Sequence, residues 1–148
     1  MQVFIIGTPL ETAMALSKRH LNNQINEVKI ILDSLRGAKA WSNHPCVLQY
    51  KKYKEWLTYY LNVLVNYRRY ILGLRDANYL GLASIEDMQA VDFTPMFHTQ
   101  EYYDQMKRRL YTKDNEYYKQ WADLGESQTN WYFVDGEWRK YINGKRIE

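Results

Sequence analysis

His20, Gln24 and Glu27 fall at i, i+4 and i+7 in the string LSKRHLNNQINEV, a spacing that stacks three polar groups on one side of a helix. Leu21, Ile25, Val28, Leu32 and Leu35 recur beside them at helical period. The trio therefore borders an apolar stripe and does not lie on a solvated back. A carboxylate at such a margin is partly dehydrated, and a nearby cation opposes that effect, which is the kind of tuning acid–base chemistry uses. The same spacing also suits a hydrogen-bonded core edge with no chemistry at all.

Those residues need a body to hold them, and 148 residues are enough for one core, so a single domain over 1–148 is expected. No run approaches the eighteen or so apolar residues of a membrane span. The start, MQVFIIGTPLE, lacks the basic leader and long apolar core of a secretion signal, so a cytoplasmic protein without a membrane partner is expected. One cysteine and three separated histidines give neither a disulfide nor a zinc spacing, and no metal or cofactor is expected. The net charge of +3 is modest, but basic residues cluster at Lys107, Arg108, Arg109 and Lys113, and again at Arg139, Lys140, Lys145 and Arg146, opposed by Glu137 and Glu148. Tyrosine is abundant, with 14 copies. Tyrosine with arginine is the composition of surfaces that stack bases and grip phosphates, although tyrosines also fill amphipathic cores.

The apolar run at 2–6, halted by Gly7, Thr8 and Pro9, is expected to tie the N-terminus to the body. Apolar periodicity predicts a first long helix over 10–35, ended at Arg36-Gly37. A loop, AKAWSNH, follows. Pro45 then suits the first turn of a second long helix reaching residue 72 along Leu48, Trp56, Leu57, Leu61, Leu64 and Ile71. The region 73–99 reads as a connector with one short helix at 84–90, and helices are predicted over 99–111 and 114–123. Asp135-Gly136 between alternating aromatics predicts a type I′ hairpin, with Trp131, Phe133 and Trp138 on one face and Tyr132 and Arg139 on the other, the second face free for a ligand. The fold class is mainly α: a compact bundle of two long and several short helices with a C-terminal β-hairpin.

Four separated segments, taken in order, resemble the pyrimidine-dimer DNA glycosylases of the endonuclease V family. They are His20-Leu21 with Glu27 in the first helix; Asn43-His44-Pro45 at the second; the stretch from Pro95 through His98 to Arg109, Leu110 and Lys113; and Trp131-Tyr132. The resemblance implies a glycosylase with AP-lyase activity whose nucleophile is the α-amine of the first residue. An α-amine is a far weaker base than lysine, so part of it is neutral near neutral pH. It can then attack the sugar C1′ and form a Schiff base. By the same resemblance Met1 and Glu27 are the catalytic pair, with Glu27 stabilising the cationic sugar and moving protons. His20, Gln24, His44, His98, Arg109, Lys113, Trp131 and Tyr132 are the expected DNA-binding residues, with Arg109 holding a phosphate bidentately and Trp131 and Tyr132 stacking on or replacing an extruded base.

The chain also departs from that family. Asn26 and Ile30 stand where the phage-type enzyme has arginines, and the bulky Gln2 predicts that Met1 is retained. Two functions follow: excision of a damaged or modified base through an N-terminal Schiff base, or, as the alternative, a non-catalytic nucleic-acid- or nucleotide-binding protein on the same scaffold. The expected partner in either case is DNA or a nucleotide.

Overall fold

A capping box opens the first helix, α1 (Pro9–Ala15): Thr8 Oγ1 accepts the Glu11 amide, and the Glu11 carboxylate accepts the Thr8 amide, both at 3.1 Å. Pro9 sits where its missing N–H costs nothing. The computed structural model describes residues 1–74 and 93–148. The helix expected at 84–90 lies outside the described residues.

The predicted helix over 10–35 is two helices. Leu16 is extended, with ψ at 139°, and Ser17 caps a new helix, α2 (Lys18–Leu35), by accepting the His20 amide at 3.2 Å. Leu16 and Leu21 are both buried, so the apolar pattern runs through the break and only the capping serine marks it. The predicted helix over 45–72 is likewise divided into α3 (Pro45–Gln49) and α4 (Lys54–Asn66), the latter running into a π-helical turn at Tyr67–Ile71. The break lets Tyr50 bury completely while Lys51 and Lys52 stay in water. It also gives the halves different main partners, α3 lying chiefly against the first strand and α4 against α2 and α1.

The helix expected over 99–111 is α5 (Gln100–Lys113), capped by Thr99. The next predicted helix, 114–123, is a turn followed by a 3-10 helix at Lys119–Leu124. Asp114 leaves the helical conformation and its carboxylate accepts the Tyr117 amide at 3.0 Å, so a side chain takes the hydrogen bond that would have continued the helix.

The hairpin is present in the expected register. Strands β1 (Asn130–Val134) and β2 (Glu137–Ile142) pair Phe133 with Trp138 and Tyr132 with Arg139. Asp135 and Gly136 carry φ of 52° and 77°, as a type I′ turn requires. A second left-handed pair, Asn143-Gly144, adds a short third strand, β3 (Lys145–Arg146). Neither face is left open. Tyr132 and Val134 are buried, while Phe133 and Trp138 pack on Phe97 and Tyr102.

The fold is thus mainly α with a small C-terminal antiparallel sheet. Its core joins Leu21, Ile25, Val28 and Leu32 of α2 to Leu57, Leu61 and Leu64 of α4, with Val3 and Ile5 of the N-terminal segment among them. Among the described residues no helix is long and apolar enough to cross a membrane.

Candidate active site at the first residue

An extended segment in a core must find partners for its backbone, and residues 1–6 pair with no strand among the described residues. Side chains supply the partners instead. Gln24, 1% exposed, accepts the Phe4 amide through Oε1 and donates Nε2 to the Gln2 carbonyl at 2.9 Å, as a strand neighbour would. Tyr60 donates to Gln24 Oε1 at 3.0 Å, and Thr12 Oγ1 accepts the Ile6 amide at 3.0 Å. Closest to the terminus, the Gln2 amide donates to Glu27 Oε2 at 3.4 Å and Tyr132 donates its hydroxyl to the Met1 carbonyl at 2.8 Å. The Glu27 carboxylate therefore meets a peptide nitrogen three covalent bonds from the α-amine.

His44 completes this corner. Its Nδ1 accepts the Cys46 amide at 3.1 Å, capping α3, which leaves Nε2 to carry the proton of the neutral ring. Burial, and then the positive charge of the first residue, hold His44 below the ordinary histidine range. Its ring meets Tyr132 edge-on at 5.7 Å between centroids. Cys46 beneath is fully buried, and burial pushes its thiol up to about 12, so it is no nucleophile.

Glu27 also faces a cleft of about 220 Å³, lined by Phe4, Arg19, His20, Asn23, Gln24, Glu27 and Lys113. The sequence trio and Lys113, from opposite ends of the chain, thus share one cavity. Lys113 places its ammonium 5.7 Å from the centre of the Phe4 ring. Burial, followed by Arg109, lowers its basicity, and Glu27 opposes that shift. His20 is oriented by Tyr118. The Ser17 amide donates to the Tyr118 oxygen at 3.0 Å, leaving the phenolic proton for His20 Nδ1 at 2.7 Å. The two rings stack at 5.5 Å, and Trp121 stacks on Tyr118 in turn. Burial and then Lys113 and Arg19 hold His20 low, so it is a neutral donor through Nε2. A larger depression of about 530 Å³, whose lining includes Thr8, Glu11, Trp56, Tyr59, Tyr103 and Lys107, contains none of the expected catalytic or DNA-binding residues.

Several expected contacts have other employment. Gln24 is a brace for the N-terminal segment. Arg109 donates Nε to Asn130 at 2.8 Å and Nη1 to the Ser127 carbonyl at 2.7 Å, so it anchors the approach to β1 and lacks the open fork of a bidentate phosphate clamp. His98 belongs to an aromatic core: its Nε2 meets the Tyr50 hydroxyl at 2.8 Å, Trp56 lies 4.6 Å away, and burial drives it down to about 3. Tyr132 is 3% exposed and committed to Met1, so it offers no free stacking face. Trp131 is half-buried, with Lys140 at 4.8 Å over its ring and Trp138 at its edge. Arg19 and Asn23 escaped the sequence reading, yet they sit one turn apart on the face that ends at Glu27 and could have been found by extending the i, i+4 spacing backward. Trp41, exposed beside His44, gave no periodic signal.

Residues 1–67 match the family model described as pyrimidine dimer DNA glycosylase. The matched span carries Met1, His20, Gln24, Glu27 and His44. No curated protein and no solved structure gives a significant match to the chain.

Proposed function

We propose that the protein is a DNA glycosylase with associated lyase activity that excises a damaged pyrimidine through the α-amine of Met1. The observation that carries this reading is the convergence of Glu27, His44 and Tyr132 on a first residue whose following segment is braced by Gln24. A terminus with only a structural task needs no such enclosure by ionisable and hydrogen-bonding groups.

In the proposed reaction the neutral amine bonds to C1′ as the glycosidic bond breaks, its electron pair leaving with the base, which takes up a proton. Glu27 stabilises the developing positive sugar. Ring opening gives a protonated imine, and removal of a C2′ proton then expels the 3′ phosphate; in this reading Glu27 takes that proton. Arg19, Lys113 and the Nε2–H of His20 surround the cleft as phosphate donors, in place of the arginines absent at Asn26 and Ile30. The match of residues 1–67 to the pyrimidine dimer glycosylase model supports DNA as the substrate.

Borohydride reduction on an oligonucleotide containing an abasic site should leave a covalent adduct that peptide mapping assigns to Met1, and intact mass should show an unblocked, retained methionine. A single residue added before Met1 should abolish the adduct. Ile30, 38% exposed where the family has an arginine, favours a second reading, a binding protein without catalysis; DNA binding with no adduct would establish it.

A further inference from the structure

Between α2 and α3 the chain holds an aromatic side chain where packing does not call for one. Trp41 is 55% exposed and its φ is 68°, a region that residues bearing a Cβ seldom adopt. The conformation is fixed from both sides. Ser34, itself buried, donates Oγ to the Ala40 carbonyl at 2.6 Å, and the Trp41 carbonyl accepts the His44 amide at 2.9 Å. The loop is therefore tied down while its largest side chain stands in solvent. Unusual backbone conformations held by their surroundings tend to mark functional positions.

The indole also stands at a particular place. It meets His44 edge-on with centroids 6.0 Å apart, His44 meets Tyr132 at 5.7 Å, and Tyr132 holds the Met1 carbonyl. Trp41 is thus two rings away from the proposed nucleophile, on the outer side. The other aromatics considered for contact with bases are engaged: Tyr132 is buried and Trp131 is covered by Lys140.

We propose that Trp41 is a wedge that enters the base stack of duplex DNA and fills the space left by the nucleotide withdrawn toward Met1. The inference rests on the glycosylase reading for what is withdrawn. Its physical basis is that a flipped nucleotide leaves a gap of ring size, which a flat side chain fills while restacking the neighbouring bases. A side chain on an immobilised loop loses little freedom on entering.

The test uses a duplex with a tetrahydrofuran abasic analogue, which cannot form a Schiff base, and 2-aminopurine beside it as a reporter of unstacking. The parent should raise the reporter's emission. Trp41→Ala should lose most of that rise and bind the duplex roughly tenfold more weakly, whereas Trp41→Phe should keep most of both. Trp41→Gly should lose the rise while its Tm stays level or increases, because glycine accepts the positive φ without strain. Borohydride trapping on a single-stranded abasic oligonucleotide, where nothing needs unstacking, should proceed at the parent rate in all three variants. Emission that rises equally with Trp41→Ala, or fails to rise with the parent, overturns the wedge. Absence of the single-strand adduct in the parent overturns the glycosylase reading instead, and the emission measurement still decides the wedge.

Discussion

Glu27 accepts a backbone N–H through a single oxygen, and that fact makes its substitution informative. Glu27→Gln keeps an acceptor of the same size, so the Gln2 amide is still satisfied and only the charge is removed. The expected outcome is an unchanged Tm and DNA affinity with strand cleavage slowed by roughly 10²–10⁴; cleavage at the parent rate would make Glu27 a structural group. Arg109 is expected to behave in the opposite way. Its guanidinium holds Ser127 and Asn130, both half-buried, so Arg109→Ala leaves a half-buried carbonyl and side-chain amide without this charged donor. It should cost about 2 kcal/mol in chemical denaturation before any effect on DNA is considered. A variant as stable as the parent but weak in DNA binding would return Arg109 to the phosphate-binding role that its place in the sequence suggests. The difference between these residues was not legible in the chain, because an Arg-Leu-x-x-Lys string does not show whether the guanidinium faces DNA or a carbonyl of its own loop.

At the scale of elements, the N-terminal segment substitutes side chains for a sheet, and Gln24 is its main support. Gln24→Ala would orphan the Phe4 amide and the Gln2 carbonyl, both buried, at about 1–3 kcal/mol each. The expected result is a lower Tm together with loss of the borohydride adduct, since the first residue would no longer be held beside Glu27. A destabilised variant that still traps would separate the brace from the site. The sequence showed that a polar trio borders the stripe of α2, but not that its middle member is spent on the backbone, because nothing in the apolar run at 2–6 tells whether a strand or a glutamine pairs with it. Helix breaks were hidden for a related reason. Leu16 and Leu21 keep the apolar rhythm across Ser17, and Tyr50 through Trp56 keep it across the turn after α3, so periodicity predicted continuity while local capping decided otherwise. The β1–β2 hairpin was legible because Asp135-Gly136 lies between alternating aromatics. Asn143-Gly144 makes the same turn, but Lys145 and Arg146 give it no apolar alternation to announce a strand.

For the molecule as a whole, charge state controls both stability and association. His98 is held down to about 3 in the fold against 6.5 for an ordinary histidine, so the unfolded chain takes up a proton that the native state refuses. Stability is then fully present above about pH 6.5 and falls as pH drops through the window toward 3, by up to about 1.4 kcal/mol per pH unit. His20 and His44, both lowered, act with the same sign. Denaturation curves at stepped pH should show this slope, and His98→Asn should reduce it by close to one proton. Association depends on which basic groups remain open to phosphate. On the sheet, Arg139 pairs with Asp135 and Glu137, Lys140 with Glu148, and Arg146 with Glu137, so much of the second basic cluster of the sequence is balanced by its own acids. In the first cluster, Lys107 meets Asp104 and Arg108 donates to the Leu124 carbonyl. Lys113 and Arg19, by contrast, line the cleft that contains Glu27. Each phosphate contact on duplex DNA contributes about 0.9 to the slope of log K against log salt. Arg19→Ala and Lys113→Ala should therefore each flatten that slope by nearly one, whereas Arg139→Ala and Lys140→Ala should leave it almost unchanged. The reverse pattern in a salt titration of duplex binding would move the DNA from the cleft to the sheet, and with it the site from Met1.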